Sequence, residues 1–534
     1  MNKPRHADRM PAEPYDLFII GGGINGCGIA RDAAGRGLSV GLAEMNDLAS
    51  ATSSSSTKLF HGGLRYLEYF EFRLVREALI EREILLKSMP HISWPMRFVL
   101  PYHESMRFET TTPLSRLLAS ILPWMKGRRP SWLIRLGLFM YDHLGGRKIL
   151  PETRVVNLSR DVSGGPLKEQ FRHAYEYSDC WVEDSRLVVL NARDASMNGA
   201  AIMPRTRVIK AEREGKLWKI ITTASQTGIQ STHYARVLVN AGGPWVESVI
   251  KQSTHTPSTD HLRLVRGSHI ITRRLFDHDK CYFFQGADGR IIFAIPYEGD
   301  FTLIGTTDVD HPDPDTKPVC TEEEKFYLCN FASQYFKRTI TSQDIVATFS
   351  GVRPLYNDGA SEATAATRDY VLRLDVEGGI PLINIFGGKI TTYRKLAESV
   401  MAKIAPFMDG VADNWTASSS LPGGDFAVHA FDDLVEAINA QYPFLPGGLA
   451  RRLVRAYGTD TRLMLANVSS PADLGSDFGT GIFRPELNWA IDHEWVVSAE
   501  DFVWRRTRLG LQLTEQQISS IDDYIQSYRS AMAS

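Results

Sequence analysis

The sequence predicts a mixed α/β fold in which an antiparallel sheet is inserted into a nucleotide-binding domain, followed by a helical C-terminal domain. Three observations support this: a strand–glycine–helix–strand pattern in residues 16–44, short β-like runs between residues 150 and 300, and helical periodicity after residue 425. A chain of 534 residues is too long for a single hydrophobic core. We place the boundary of the C-terminal domain near residue 411.

The first pattern is typical of a Rossmann-like βαβ unit. The three glycines of its G-x-G-x-x-G turn are Gly21, Gly23 and Gly26. Gly21 permits a tight turn, Gly23 lets backbone amides approach a pyrophosphate, and Gly26 lets the helix pack closely on the sheet. Glu44 ends the second strand, where a carboxylate binds ribose hydroxyls, and its charge would repel the 2′-phosphate of NADP. The alternative, a glycine-rich turn in an ordinary α/β core, explains fewer of these features.

Residues 45–68 are dense in serine and glycine. Such composition is common in flexible linkers, but this segment directly follows the second strand, on the cofactor side. Small hydroxyl side chains and glycines at that position can hold a ligand at close range. Residues 69–89 follow with the spacing of an amphipathic helix, whose charged residues are expected to face solvent.

Residues 113–144 interleave apolar and aromatic side chains with charges that are all basic until Asp142. Pro123 and Pro130 would divide the segment into short helices. Two interpretations are open: helices that lie on an anionic membrane surface, or core helices with a basic outer rim.

The β-like runs between residues 150 and 300 predict a mainly antiparallel inserted sheet, with examples at residues 217–223, 237–240 and 290–296. The strand at residues 237–240 ends in small residues that include Gly242, which suggests a second contact with the cofactor. The strand–glycine pattern returns at residues 382–389. We therefore assign nucleotide-binding segments near residues 14–68, 180–250 and 345–400.

Composition excludes several function classes. The formal net charge of −2 and the absence of a recognition motif argue against nucleic-acid binding. The five cysteines form no C-x-x-C pair, which argues against a disulfide framework and against a zinc site. We expect no metal, no secretory signal and no membrane-spanning segment.

Together these segments resemble the FAD-dependent, membrane-associated glycerol-3-phosphate dehydrogenases of aerobic bacteria. The motifs that carry the resemblance extend from residue 16 to about residue 400 and include IIGGGINGCGIARDAAGRGLSVGLAE, SSSSTKLFHGGLRYLE, NAGGPWV, VRGSHIIT, IGTTDVD, FSGVRPL and FGGKITTYRKLAE. The C-terminal RRLVRAYGTD is similar to the cap domain of such enzymes.

The resemblance implies FAD, bound non-covalently because no His or Cys stands in an obvious attachment context. It adds these cofactor-binding candidates to the four from the βαβ unit: Thr52, Ser53, Ser54, Lys58, Leu59, Gly242, Gly388, Lys389 and Thr391.

The resemblance also implies oxidation of glycerol 3-phosphate to dihydroxyacetone phosphate. A phosphate dianion is best bound by arginine and lysine. The candidates for this contact are Arg65, Tyr66, Arg353 and Lys389, with Arg368 a weaker one. Thr306, Thr307 and Asp308 follow a strand and are expected to hydrogen-bond the substrate hydroxyls. For the catalytic base, His269 is the first choice and His61 the second, because imidazole accepts protons near neutral pH.

The family passes electrons to membrane ubiquinone, so the resemblance favours the membrane interpretation of residues 113–144. It further implies a homodimer at the cytoplasmic face of the bacterial inner membrane. Three alternatives stay open: a glycerol-3-phosphate oxidase that uses oxygen, a flavin-dependent amine or amino-acid oxidase, and a non-catalytic membrane flavoprotein that acts as a sensor.

Overall fold

The computed structural model describes residues 13–103, 131–256, 258–286, 290–357 and 369–533. The predicted Arg368 and the first part of the basic segment, residues 113–130, lie outside these ranges. The described strands are β1 Tyr15–Ile20, β2 Val40–Ala43, β3 Leu59–Phe60, β4 Ser93–Tyr102, β5 Arg154–Asn157, β6 His173–Val182, β7 Ala201–Met203, β8 Thr206–Glu214, β9 Leu217–Ala224, β10 Gln230–Asn240, β11 Leu262–Arg273, β12 Cys281–Gln285, β13 Ile291–Tyr297, β14 Phe301–Gly305, β15 Val309–Asp310, β16 Ile345–Tyr356, β17 Val371–Asp375 and β18 Leu382–Phe386.

The α-helices alternate with these strands and then dominate the C-terminal region. They are α1 Ile24–Gly35, α2 Phe72–Ser88, α3 Ser131–Leu144, α4 Asp184–Met197, α5 Val246–Val249, α6 Glu322–Tyr335, α7 Tyr393–Ile404, α8 Phe431–Gln441, α9 Leu449–Tyr457, α10 Asp460–Met464, α11 Pro471–Leu474, α12 Arg484–Glu494 and α13 Glu515–Ala533. Short 3-10 helices lie at Thr52–Ser54, Leu64–Tyr69 and Ile390–Thr392.

The first sheet is the predicted nucleotide-binding sheet. Its order is β17-β18-β10-β1-β2-β7, and the pairs β18–β10, β10–β1, β1–β2 and β2–β7 are parallel. Helices α1, α4 and α7 pack against it through one continuous apolar cluster. The small residues of α1 allow this, since every one of its alanines is buried. The prediction for residues 16–44 is therefore confirmed.

The second sheet has ten strands and is antiparallel except at the β12–β4 pair. Its long central strand β11 pairs with β14 on one side and with β16 on the other. Helix α6 covers one face, and α2 and α3 cover the other. The chain enters this sheet after β2, returns, and enters it again after β10, so the predicted insertion is confirmed. Two of the three example strands were placed wrongly, because the strands at residues 217–223 and 237–240 belong to the first sheet. The first is β9, which pairs antiparallel with β8 and β10, and the second is the end of β10, which runs parallel to β1 and β18.

Helices α8 to α13 form the C-terminal region around two apolar clusters of their own. Arginines at the end of the second cluster reach back to the first sheet: Arg506, which is fully buried, pairs with Asp47 at 2.8 and 2.9 Å. Among the described residues, no helix combines the length and the apolar character needed to cross a bilayer.

Candidate active site

A cavity of about 470 Å³ opens at the carboxyl ends of β1, β10 and β18. This is the edge of a parallel sheet at which dinucleotides bind. Seven of the predicted cofactor residues line it: Gly21, Gly23, Glu44, Thr52, Ser53, Gly242 and Gly388. These residues come from three separate parts of the chain, and the parallel strands bring them together.

The glycine turn leaves no room for side chains. Gly21 has a φ of +111°, and a Cβ there would lie 2.4 Å from the carbonyl oxygen of Ala241. A Cβ on Gly26, which is buried in α1, would lie 1.9 Å from the carbonyl oxygen of Gly21. Gly26 therefore lies behind the cavity and has the packing role that the sequence predicts.

Glu44 is fixed by backbone amides. Its Oε2 accepts a hydrogen bond from Gly22 N at 2.7 Å, and its Oε1 accepts one from Asn46 N at 2.8 Å. Burial raises the pKa of this carboxyl group above its usual range. Each oxygen keeps a lone pair that can accept a ribose hydroxyl at the cavity wall.

The serine-rich segment lines the cavity and joins both sheets. Ser53 Oγ accepts a hydrogen bond from Ile24 N at 3.0 Å, at the beginning of α1. Thr52 Oγ1 donates to the carbonyl oxygen of Val352 on β16 at 2.6 Å. These contacts favour the ligand-holding interpretation of residues 45–68 over a flexible linker. We name residues 50–58 the cofactor loop.

Lys58 lies elsewhere than the sequence predicts. Its side chain is fully buried, and its Nζ donates to both carboxylate oxygens of Asp184 at 2.9 Å and to the Ser54 carbonyl at 3.1 Å. Burial and the nearby Arg508 lower the pKa of Lys58 to about 8. The ammonium group is thus used to hold the cofactor loop, and it does not line the cavity. Leu59 is likewise buried, in β3.

A second group of predicted residues meets beside the cavity. Gly387 and Gly388 adopt positive φ values of 78° and 108°, and Lys389 directly precedes the 3-10 helix Ile390–Thr392. Lys389 Nζ lies 4.1 Å from the centroid of the Tyr66 ring. Thr391 is buried in that helix. The structure therefore brings together Lys389 and Tyr66 from motifs more than 300 residues apart in the sequence. The backbone of Arg65 belongs to the helix that carries Tyr66, but its side chain is outside the described part.

The third group lies on the central strands of the second sheet. Arg353 on β16 donates from Nη2 to Thr306 Oγ1 at 3.0 Å, and its Nη1 pairs with Asp308. On β11, Gly267 allows this approach, because a Cβ there would lie 2.4 Å from Arg353 Nη2. Arg353 keeps a side-chain exposure of 26%. Thr306 and Asp308 therefore hold the guanidinium, while part of the Arg353 side chain stays accessible to a ligand.

His269 lies on β11 and is 99% buried, stacked on Phe349 with ring centroids 4.6 Å apart. Its Nε2 is 3.0 Å from Thr57 Oγ1 of the cofactor loop. Its Nδ1 makes no hydrogen bond within the described residues. Burial, together with the positive charges of Arg353 and Lys58, lowers the pKa of His269 well below 6.5. The imidazole is therefore neutral near pH 7 and able to accept a proton. His61, the second choice, is half-buried just after β3.

Thr307 differs from the expectation of a substrate contact. It is 98% buried, and its hydroxyl donates to Glu324 Oε1 at 2.7 Å while it accepts from Ser268 N at 2.9 Å. Both hydrogen bonds are internal, so the hydroxyl stabilises the turn after β14.

Sequence reasoning missed four residues around the site. Asn25 lines the cavity, and its buried Oδ1 makes no hydrogen bond in the described part of the chain. Thr57 bonds His269, while Asp184 and Arg508 hold the cofactor loop from behind. Asn25 follows the glycines directly and could have been found from the motif, whereas the other three depend on contacts across the fold.

The residues that line the cavity fit a dinucleotide that contacts the protein backbone at close range. The cradle at Gly21 is too narrow for any Cβ, Glu44 presents carboxylate oxygens, and the buried Asn25 Oδ1 lacks a donor among the described residues.

Comparisons with known proteins agree with this geometry. Residues 16–394 match the family described as FAD dependent oxidoreductase, and residues 414–530 match the C-terminal domain of alpha-glycerophosphate oxidase. The chain is 47% identical to D-erythritol 1-phosphate dehydrogenase of Brucella abortus, covering 95% of this chain and 96% of that protein. It is 45% identical to aerobic glycerol-3-phosphate dehydrogenase of Escherichia coli, covering 97% and 98%.

A solved structure is also similar. The glycerol-3-phosphate dehydrogenase of Bacillus halodurans, complexed with FAD, superimposes with a TM-score of 0.71 at 25% identity and covers 97% of this chain and 95% of that one. The protein is thus a FAD-dependent oxidoreductase with a helical C-terminal domain. By sequence and by fold, the chain belongs to the FAD-dependent glycerol-3-phosphate dehydrogenase family.

Proposed function

We propose that the protein oxidises glycerol 3-phosphate to dihydroxyacetone phosphate and passes the electrons to a membrane quinone. The observation that carries the proposal is that groups suited to three different roles lie next to one another. His269 on β11 contacts the cofactor loop through Thr57 at 3.0 Å, and Arg353 lies on the strand paired with β11. A base, a phosphate-binding cation and a cofactor cavity are therefore adjacent.

Substrate binding is assigned to Arg353 and Lys389. A planar guanidinium can donate two parallel hydrogen bonds to a phosphate, and Lys389 adds a second positive charge. Asp308 and Thr306 hold the guanidinium so that little side-chain entropy is lost on binding. Two cations favour a dianionic phosphate over the carboxylate of an amino acid, which argues against an amine or amino-acid oxidase.

When bound, FAD supplies an acceptor for the hydride that leaves the secondary carbinol carbon. The protein must then remove the hydroxyl proton. We assign this step to His269 Nε2, the ring nitrogen beside the Thr57 hydroxyl of the cofactor loop. The imidazole itself is shielded from bulk water, since His269 is 99% buried.

Replacing His269 by glutamine is expected to reduce kcat by two to four orders of magnitude, roughly the contribution of general base catalysis, with little change in KM. Stopped-flow measurement of flavin reduction tests this. Because the pKa of His269 is below 6.5, the wild-type rate should begin to fall only at a pH lower than that. His61→Gln is the matched variant: if it loses turnover and His269→Gln does not, the base is His61.

Replacing Gly26 by alanine is expected to abolish FAD binding and to lower the melting temperature, since the added Cβ would lie 1.9 Å from Gly21 O. The flavin-to-protein absorbance ratio of the purified variant measures this. Gly137→Ala is the control, because a Cβ at that helical glycine meets no atom within 4 Å. A Gly26→Ala protein that is purified with a full complement of bound FAD would contradict the packing role of this glycine.

Several features support a membrane quinone as acceptor. The outer face of α3 exposes Trp132, Leu136 and Phe139 at 53%, 47% and 59%, together with the basic Arg135. An apolar cavity of about 190 Å³ lies beside this helix, between α3 and the segment of Phe70 and Phe72. This arrangement suits attachment to the anionic cytoplasmic face of the inner membrane. The homodimer is likewise part of the proposal, and sedimentation of the holoenzyme tests it.

A second candidate substrate is D-erythritol 1-phosphate. The relative that acts on it is 47% identical to this chain, against 45% for the Escherichia coli enzyme. Both substrates have a phosphate at one end, so the same two cations serve either of them. The ratio of kcat/KM for the two compounds decides between them.

The experiment that tests the function is anaerobic. Glycerol 3-phosphate is added to the holoenzyme, the flavin absorbance is followed, and a soluble quinone is then added. Bleaching followed by recovery supports both half-reactions. Bleaching with erythritol 1-phosphate alone favours the second candidate, and recovery with oxygen alone favours the oxidase. A flavoprotein that neither substrate bleaches would contradict the proposal and revive the sensor.

A further inference from the structure

Helix α3 has an inner face as well as an exposed one, and its inner face carries one buried polar group. Tyr141 is 98% buried beside Leu138. Its hydroxyl accepts a hydrogen bond from the backbone N–H of Gly62 at 2.7 Å. The same hydroxyl donates to the Asp179 carboxylate, with oxygens at 2.8 and 3.0 Å.

Asp179 is itself held in place. It lies on β6, is 98% buried, and pairs with Arg82 of α2, which also donates to the carbonyl of Ser178 at 2.7 Å. The Arg82 guanidinium lies 5.5 Å from the centroid of the Tyr141 ring. A chain of buried groups thus runs from Arg82 through Asp179 and Tyr141 to the amide of Gly62.

Gly62 begins the turn that carries a proposed substrate contact. A Cβ on Gly62 would lie 2.5 Å from Leu79 Cδ2 and 2.9 Å from Tyr141 Cε2, so the turn is pressed against α2 and α3. The next residues form the 3-10 helix Leu64–Tyr69, in which the Tyr66 ring lies under Lys389 Nζ. A shift of the Gly62 amide would therefore move Tyr66 relative to Lys389.

We propose that Tyr141 is a positioning residue for the substrate phosphate, acting through its hydrogen bond to Gly62. It does not touch the substrate. Its hydroxyl fixes the start of the turn of residues 62–66, and Asp179 orients that hydroxyl so that its lone pair faces the amide. This inference rests on the proposed function, in which Lys389 binds the substrate phosphate, and on the contact of Lys389 with the Tyr66 ring.

Tyr141→Phe tests the proposal, because it removes the hydroxyl and keeps the ring. The variant leaves the Gly62 amide and the Asp179 carboxylate each short of one buried hydrogen bond, which is costly. We expect KM for glycerol 3-phosphate to rise about tenfold or more, with a smaller change in kcat and an unchanged FAD content. Competitive inhibition by inorganic phosphate should weaken by a similar factor, since the same contact is affected.

Tyr282→Phe is the matched control. The Tyr282 hydroxyl is also buried in the second sheet, where it donates to the Ser163 carbonyl at 2.6 Å and lies 2.9 Å from His278 Nε2. Neither of these contacts in the described part of the chain reaches the turn. We expect that variant to lose stability while it keeps the wild-type KM and the wild-type phosphate inhibition. Equal changes in KM for both variants, or an unchanged KM in Tyr141→Phe, would overturn the proposal.

A second variant keeps the test possible if Tyr141→Phe does not fold. Asp179→Glu preserves the charge opposite Arg82 and displaces the carboxylate from the Tyr141 hydroxyl, so KM should rise in the same direction. A folded Asp179→Glu enzyme with wild-type KM would contradict the proposal. Wild-type turnover with either polyol phosphate is measured in the same series. If the wild-type protein shows no turnover, the proposed function is wrong. If the wild-type protein turns over and the ratio of variant KM to wild-type KM is unchanged, only the positioning role of Tyr141 is wrong.

Discussion

Replacing Arg353 by alanine is expected to raise KM for glycerol 3-phosphate by about two orders of magnitude while FAD stays bound. Truncating one partner of a buried, hydrogen-bonded charge pair costs about 2–5 kcal/mol. The Arg353 side chain is 26% exposed, so we use the lower part of this range, and about 2.7 kcal/mol corresponds to a hundredfold change. Arg353 lies on β16 and is not among the residues that line the cavity, and its carboxylate partner is Asp308. Steady-state kinetics and the flavin absorbance of the purified variant measure the two effects separately.

The same variant should change the pH profile. The Arg353 charge contributes, after burial, to the lowered pKa of His269. Removing that charge raises the pKa, so the acid limb of kcat should move to higher pH. Arg353→Lys keeps a charge without the bidentate geometry, and we expect an intermediate KM together with little movement of the acid limb.

Arg263→Ala is the matched control for Arg353→Ala. Arg263 lies on the neighbouring strand β11 and binds Asp310 through two parallel hydrogen bonds of 2.8 and 2.9 Å. That Asp310 is 65% exposed, so loss of this pair should leave KM unchanged. Loss of FAD from Arg353→Ala, with KM preserved, would mean that Arg353 serves the cofactor and not the substrate.

The parts of the site that the sequence predicts are those that depend on local chemistry. Gly21 and Gly26 are required by a turn whose geometry excludes side chains, and Glu44 follows from its distance to that turn. The strand pattern of residues 16–44 fixes where all three lie. The family motifs then point to Arg353 and His269, which lie on the paired strands β16 and β11, and to Lys389, which directly follows Gly388 of the cavity wall.

The parts that the sequence does not predict depend on contacts between distant segments. Lys58 stands in a motif that suggests a cofactor contact, yet its partner is Asp184, more than 120 residues away. Tyr141 reads as one more aromatic residue of an apolar helix, and only the fold brings its hydroxyl to Gly62. Periodicity shows that a helix has a buried face, but not which polar group on that face has a partner. The contacts of Arg506 and Arg508 with the nucleotide-binding domain are missed for the same reason.

Asp184 offers the largest expected effect on stability. Its carboxylate, which is fully buried at the beginning of α4, accepts hydrogen bonds from Lys58, Arg508 and Ser56, all at 2.8–3.1 Å. Burial alone would raise its pKa, but Lys58 and Arg508 more than offset this and hold the pKa below its usual value. The carboxylate is therefore the shared counterion of two cations from different domains, the fully buried Lys58 and the 12% exposed Arg508.

Replacing Asp184 by alanine is expected to destabilise the protein by about 3–5 kcal/mol, since it leaves buried charges uncompensated. The two cations would also repel one another. Denaturant unfolding of the apoprotein and the holoprotein measures the loss. Asp310→Ala is the control: it breaks an exposed Arg–Asp pair, and such pairs contribute little.

The Asp184 variant should also weaken FAD binding, and this distinguishes two accounts of the C-terminal domain. Arg508 donates to the Ser54 carbonyl at 2.9 Å as well as to Asp184, so the domain holds the cofactor loop directly. If that loop is what Asp184 stabilises, the holoprotein should lose more stability than the apoprotein, because binding energy is lost in addition to folding energy. Equal losses in the two forms, with an unchanged FAD dissociation constant, would mean that the buried ion cluster only joins the domains.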